Sequence, residues 1–332
     1  MILMPNLNVK NALDFTNTLY NYKLEEGEEF DFINVRNCDP FPMLVVSSAV
    51  RQLRKRSDVK KCRASNLKNG YAEHMRFYTA MGIKKGRGFD EDYGSNTYLP
   101  ITRLKISDLR TQGAASLERI QEVIENKANL MANVFAQGNI SYKKWISYAL
   151  TEMMRNIPEH SHANEIWYCA QYWPSYDLVE LAILDEGIGI KESLLSNIAY
   201  EELISNDEDA LLLALNPGVS RTFIPGGHNL SDDDWANSGY GLYMVSRTCA
   251  ALDGDFIIAS GDTAIKVAGD RVSTYKRGCR IKGTAIQLRV HLHKMNNIEE
   301  ITKLILKAGE EAAHDSNRAI KSASKSSKRI IG

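Results

Sequence analysis

Residues 181–190 read LAILDEGIGI. An apolar run ends in an Asp-Glu pair, and Gly187 and Gly189 come next with one isoleucine between them. The run has the length and composition of a buried strand. Its acid-and-glycine end admits two readings. Gly and Asp both tolerate the backbone angles of a turn. An acid at a strand end also fixes a polar group, and missing side chains let backbone N–H groups approach a ligand. The rest of the chain decides between them.

Four segments with chemical potential occur in order around this stretch. In TEMMRNIPEH, Glu152 and Asn156 stand four residues apart, one turn along one helix face. DEGIG comes second. In NSGYGLYMVS, Gly239 and Gly241 lead into an apolar helix starting near Leu242, where free N–H groups and the helix dipole favour an anion. RIKGTAIQLRV then places Thr284 at the opening of the last strand. Each is weak alone; together, in this order and on these elements, coincidence is hard to defend.

These four segments resemble the N box, the two glycine boxes and the closing Gly-Thr of the GHKL, or Bergerat-fold, ATP-binding superfamily. The resemblance covers roughly residues 115–295 and implies a helical layer on a mixed sheet. It implies that Asn156 ligates Mg²⁺ and that Glu152 polarises the attacking water or hydroxyl, roles suited to their chemistry. It also implies that Asp185 accepts the adenine amino hydrogen, with Gly187, Gly189 and Ile190 making room for the base and Thr284 joining its contacts. Gly239, Gly241 and Leu242 would anchor a lid spanning about 190–238 and meet phosphates. Within the lid, Ser220, Arg221 and Thr222 would reach phosphate, and Trp235 would cover either the nucleotide or the lid's own core.

The branch of the superfamily is narrowed by the surroundings of the site. Only 48 residues come after Thr284, which disfavours the members that carry a transducer domain. The one histidine before the N box, His74, lacks an acid-and-proline setting, which disfavours histidine self-phosphorylation. His160, four residues after Asn156, resembles the pattern of the anti-sigma serine kinases. Three activities therefore stand: an ATPase whose lid signals to a protein partner or a second copy, an anti-sigma-type serine/threonine kinase, and an ATP-responsive module without turnover.

Upstream, EFDFINV alternates like a strand, PFPMLVVSSAVRQLRKRS has helical spacing, and KCRASNLK, GYAEHMRFYTAMGI and TYLPITRLKI complete a β-α-β-α-β order. Pro100 pushes the last strand towards an edge. The order weakly resembles a STAS-type domain, but the loop ASNLKNG lacks that type's Asp-Ser acceptor sequence; Ser65 could substitute for it, and a scaffold without an acceptor is the reading favoured. The expected fold class is thus α+β, with a small α/β domain over 1–114, the ATP-binding domain over 115–296 and a terminal segment over 297–332. A helix is expected from Leu117 and another over 298–314. The closing SASKSSKR reads as disordered and solvated rather than docked.

Composition narrows the class further. Apolar residues make up 44% of 332 residues and charged residues 25%, an ordinary globular balance. Lys+Arg and Asp+Glu both total 41, so no global field recruits nucleic acid or an anionic membrane. The five cysteines are scattered without a CxxC pair and read as buried thiols in a cytoplasmic protein. No apolar run is long enough to span a bilayer, and the N-terminus lacks a secretory pattern. His291 and His293 share a strand face without a third ligand nearby, and read as hydrogen-bonded histidines.

Overall fold

The computed structural model describes residues 1–59, 61–89, 94–225 and 238–329. The chain opens with β1 (Ile2–Leu3), α1 (Val9–Tyr20), β2 (Glu29–Asp31), α2 (Pro40–Arg56) and β3 (Arg63–Ser65). These three short strands form a parallel sheet in the order β1-β2-β3. Parallel neighbours need a crossover, which α1 and α2 supply. Helix α2 carries Pro40 in its first turn, where a missing N–H costs nothing, and Arg54, Lys55 and Arg56 in its last, where they complement the dipole. The segment expected as one helix over 70–83 is divided by Arg76, at φ +59, into α3 (Gly70–His74) and α4 (Phe77–Ala80).

The next strand departs from expectation. β4 (Tyr98–Lys105) does not complete the N-terminal sheet but pairs antiparallel with β5 (Glu165–Trp173). It forms one edge of a five-stranded sheet, where Pro100 needs no ladder partner for an N–H it lacks. Helix α5 (Ile106–Ser116) follows β4 directly and ends at Leu117, which is left-handed and 96% exposed. The helix expected from Leu117 instead begins after it, as α6 (Ile120–Phe135). Helix α7 (Ile140–Asn156) carries Glu152 and Asn156, and the chain then winds into one wider turn over Ile157–Ser161, where Pro158 cannot continue the α pattern.

The sheet is completed by β6 (Leu178–Asp185), β7 (Asp255–Ala268) and β8 (Arg271–His291), in the order β4-β5-β6-β8-β7. Every pairing in it is antiparallel, so the expected mixed sheet is corrected. The short turns that join β5 to β6 and β7 to β8 return each strand beside its predecessor, which permits only the antiparallel ladder. Between β6 and β7 lie α8 (Ile190–Leu195), α9 (Asp207–Ala214) and α10 (Gly241–Ala251); α11 (Ile298–Asp315) and α12 (Lys325–Arg329) come after β8.

Both faces of the five-stranded sheet are covered. Along β6, Val179, Leu181 and Ile183 join the core formed with α6, α7 and α10, whereas Ala182 and Leu184 join the core formed with α2 and its neighbours. The period of two places alternate residues on opposite faces, and cover on both faces explains why apolar residues occur at both alternations. At the N-terminal face, the fully buried Glu180 accepts from the Phe41 N–H at 2.9 Å and from Arg289 Nε at 2.8 Å.

The end of the chain corrects the expectation of a disordered tail. After α11, Ala319, Ile320, Ala323, Ser324 and Ser327 are buried. The Ile320 N–H donates to the Gly218 carbonyl at 2.8 Å, and Ile320 sits in the small core of the 190–223 region with Tyr200 and Phe223. Among the described residues, no helix is long and apolar enough to cross a membrane.

Candidate functional site

On the helical face of the sheet, at the end of β6, lies a cavity of about 870 Å³ including its open mouth. Its walls bring together Glu152 and Asn156 from α7, Asp185 from β6, Gly189 and Ile190 at the start of α8, Ser220, Gly239, Gly241 and Leu242 around the start of α10, and Thr284 from β8. Met153, Ile157, Ile183, Leu194 and Ile286 supply apolar walls. Gly187 and Thr222, also expected at the site, stand behind this lining. Thr222 bonds its hydroxyl to Ser220 Oγ at 2.9 Å. Trp235 lies outside the described residues.

Asp185 is the last residue of β6 and sits opposite Thr284 in the ladder with β8. It is 3% exposed, and burial pushes its carboxyl up to about 6. The Gly187 N–H at 2.8 Å, the Ser161 hydroxyl and the Thr284 backbone favour the charged form and hold the shift in check. A buried acceptor at the floor of an apolar slot suits a planar ligand edge with an N–H donor. Gly187 is required here for a reason other than ligand space: a Cβ on it would run into the Ser161 carbonyl oxygen, which accepts from Ile188 N–H at 2.8 Å. The turn after Asp185 is thus closed against the turn after α7.

Glu152 lies at the other side of the cavity. Burial raises its carboxyl above the ordinary range, while Arg155, at 3.8 Å, opposes the shift. A raised carboxylate is a stronger base, provided that it is ionised when the proton arrives. Gly241 opens α10 directly against it, and a Cβ at that position would lie 2.5 Å from Glu152 Oε2. Only glycine lets this helix start approach the carboxylate, and the approach leaves the first N–H groups of α10 beside Glu152 and Asn156.

Sequence reasoning did not identify Met153, Ile157, Ser193, Leu194, Val219 or Ser161 as parts of the site. Their apolar or small side chains look like any core residue; only the i, i+1 and i+4 relation of Met153 and Ile157 to Glu152 and Asn156 on α7 pointed at them. His160 and Arg221 do line the cavity, and burial, with Arg221 and Arg155 nearby, depresses the His160 imidazole to about 4, so it is neutral at pH 7. Ser65 lies on the short β3 of the other sheet, away from this cavity. His293 pairs with Asp177 at 2.7 Å and His291 with the Tyr176 carbonyl at 3.2 Å, as expected of hydrogen-bonded histidines. Four cysteines are buried and Cys62 is half-buried.

No protein-family profile, curated protein or solved structure matches this chain.

Proposed function

We propose that this protein binds ATP with Mg²⁺ in the cavity at the end of β6 and hydrolyses it, as a divergent member of the GHKL superfamily. The observation that carries the reading is the joint placement of Asp185 and Glu152. One buried acceptor and one basic carboxylate face a single apolar slot, and a glycine-led helix start stands beside the second. The helical layer on the sheet and the order α7, β6, α10, β8 of the elements that bear the site support the reading, although the sheet is antiparallel throughout where the resemblance implies a mixed one.

In this reading Asp185 accepts the exocyclic amino hydrogen of adenine, and Ile183, Ile286 and Leu194 cover the faces of the base. The opening N–H groups of α10 meet phosphate oxygens, and Arg221 and Ser220 approach from the 190–223 region. Asn156 fits a Mg²⁺ site, because this ion takes few protein oxygens and fills its shell with phosphate and water. The ion would neutralise charge on the phosphates. Glu152 orients the attacking water and accepts its proton. The 190–223 region has a small core of its own and packs over the cavity mouth, so its position reports nucleotide state to a protein partner or a second copy.

The test is phosphate release from Mg-ATP by the full chain, with nucleotide binding followed alongside. Glu152→Gln is expected to lower turnover about 10²–10⁴-fold while binding persists. Equal turnover in wild type and variant removes Glu152 from the chemistry. No binding by either removes the nucleotide reading altogether.

A further inference from the structure

The C-terminal segment ends beside the catalytic carboxylate proposed above. Ser326, on α12, donates its hydroxyl to Glu152 Oε1 at 3.2 Å. The segment is fastened on each side of this contact. Tyr148, one turn before Glu152 on α7, shares a 3.1 Å bond with Ser327. Glu310 accepts from Ser322 and from the Ala323 N–H, both at 3.1 Å, and pairs with Lys328 at 3.4 Å. Tyr240, the residue before Gly241, donates to the Ile320 carbonyl at 3.2 Å. A serine hydroxyl is therefore held against the carboxylate by contacts from α7, α11 and the start of α10. Water activation alone does not call for these contacts: Ser326 is held at Oε1 of Glu152, while Oε2 faces the start of α10.

We propose that Ser326 is an intramolecular phosphate acceptor: the protein transfers the γ-phosphoryl group of bound ATP to its own C-terminal segment. The proposal rests on the nucleotide reading and makes Glu152 the base for a hydroxyl of this chain. Ser326 Oγ attacks the γ-phosphorus, and the Oγ–P bond forms as the bond to the β,γ-bridging oxygen breaks. That oxygen leaves with its electron pair as part of ADP, and the serine proton passes to Glu152. The products are a phosphoserine, ADP and one proton. The phosphoserine carries close to two negative charges where the hydroxyl carried none, beside a buried carboxylate. Repulsion there would release the segment from α7.

The experiment is incubation of the full chain with γ-labelled Mg-ATP, with the labelled position located by mass spectrometry and binding of a non-hydrolysable analogue measured in parallel. Label is expected on Ser326, at a rate per molecule that does not depend on protein concentration, as for an intramolecular reaction. Ser326→Ala is expected to remove that label while analogue binding is retained, and Glu152→Gln to slow it by about 10²-fold or more. Analogue binding without label overturns this proposal and leaves the nucleotide reading standing. So does label that persists at another residue in Ser326→Ala. Faster phosphate release in unlabelled Ser326→Ala also overturns it, because the segment is then a plug. Failure to bind the analogue overturns both.

Discussion

Two acidic neighbours, Asp185 and Glu186, leave the same strand end and meet opposite surroundings. Asp185 faces the helical side, where the sheet and α7 leave a cavity, and its partners are backbone N–H groups and a hydroxyl. Glu186 faces the N-terminal side, where α2 fills the space. It accepts from Ser48 at 2.7 Å and from Arg51 at 2.8 Å, and Gln52 completes the set. The difference holds for the whole sheet. Around Glu180 one face is closed by apolar side chains and by the pair of Glu180 with Arg289, at 2.7 Å, and the cavity of that face, between α1, α2 and β8, has no acid among its described lining residues. The other keeps a slot lined by apolar residues with acids at its ends. A carboxylate with cationic partners is a fastening. A buried carboxylate held only by backbone donors and a hydroxyl is poised for a further donor from a ligand.

That contrast can be broken first where the packed face is most committed. Replacing Glu180 with alanine leaves the Arg289 guanidinium and the Phe41 N–H without their buried acceptor. We expect a loss of about 3–5 kcal/mol in urea unfolding, with Asp39 at 3.1 Å from Arg289 keeping the loss near the lower end. ATP affinity per folded molecule should not change; a parallel loss of affinity would show that the two faces are not separate.

Asp185→Asn tests the open face. A charge-assisted hydrogen bond to the ligand is worth about 1.5–3 kcal/mol, so ATP affinity should fall by about 10–150-fold. Because the free carboxyl titrates at about 6, wild-type affinity should also decline about tenfold per pH unit below that value, and the variant should lack the decline. Linkage has the opposite sign for the free fold. A carboxyl harder to ionise folded than unfolded stabilises the protein most below its ordinary value of 3.8, and that contribution is lost as pH rises through about 6. A flat affinity profile for the wild type would detach Asp185 from the ligand.

The smallest effect is expected at Arg51→Ala. Arg51 pairs with Glu186 and stacks 3.7 Å over the Trp167 ring at the border of the two regions. Loss of these contacts, and of the Arg51 bond to the Ala80 carbonyl at 3.0 Å, should cost about 1–2 kcal/mol in urea unfolding. Glu186 adjoins Asp185, so ATP affinity measured on the same variant sharpens the comparison: no change means that the strand end isolates the two acids.

Much of the candidate site was legible because its signals are local. Glu152 and Asn156 share a helix face through a four-residue spacing, and an acid with glycines after it at the end of an apolar run is visible without any partner. The glycine-x-glycine before α10 is equally self-contained. The features that escaped depend on distant partners. TYLPITRLKI reads as a strand, but only the whole sheet decided that β5, some 60 residues later, would receive it. The need for glycine at 187 arises from a carbonyl at Ser161, and the division of α3 from α4 arises at a left-handed Arg76 with no glycine to announce it.

The C-terminal segment shows the limit most plainly. By composition SASKSSKR belongs in water, and its order comes from Glu310, Tyr148 and Glu152, as far as 179 residues away along the chain. The sequence alone determined most of the longer elements and the residues that each presents on one face, since helix and strand periodicity are properties of neighbouring residues. Only the tertiary structure decided that one cavity joins Asp185 to Glu152 and which hydroxyl reaches Glu152, because those depend on surfaces that come together after the elements exist.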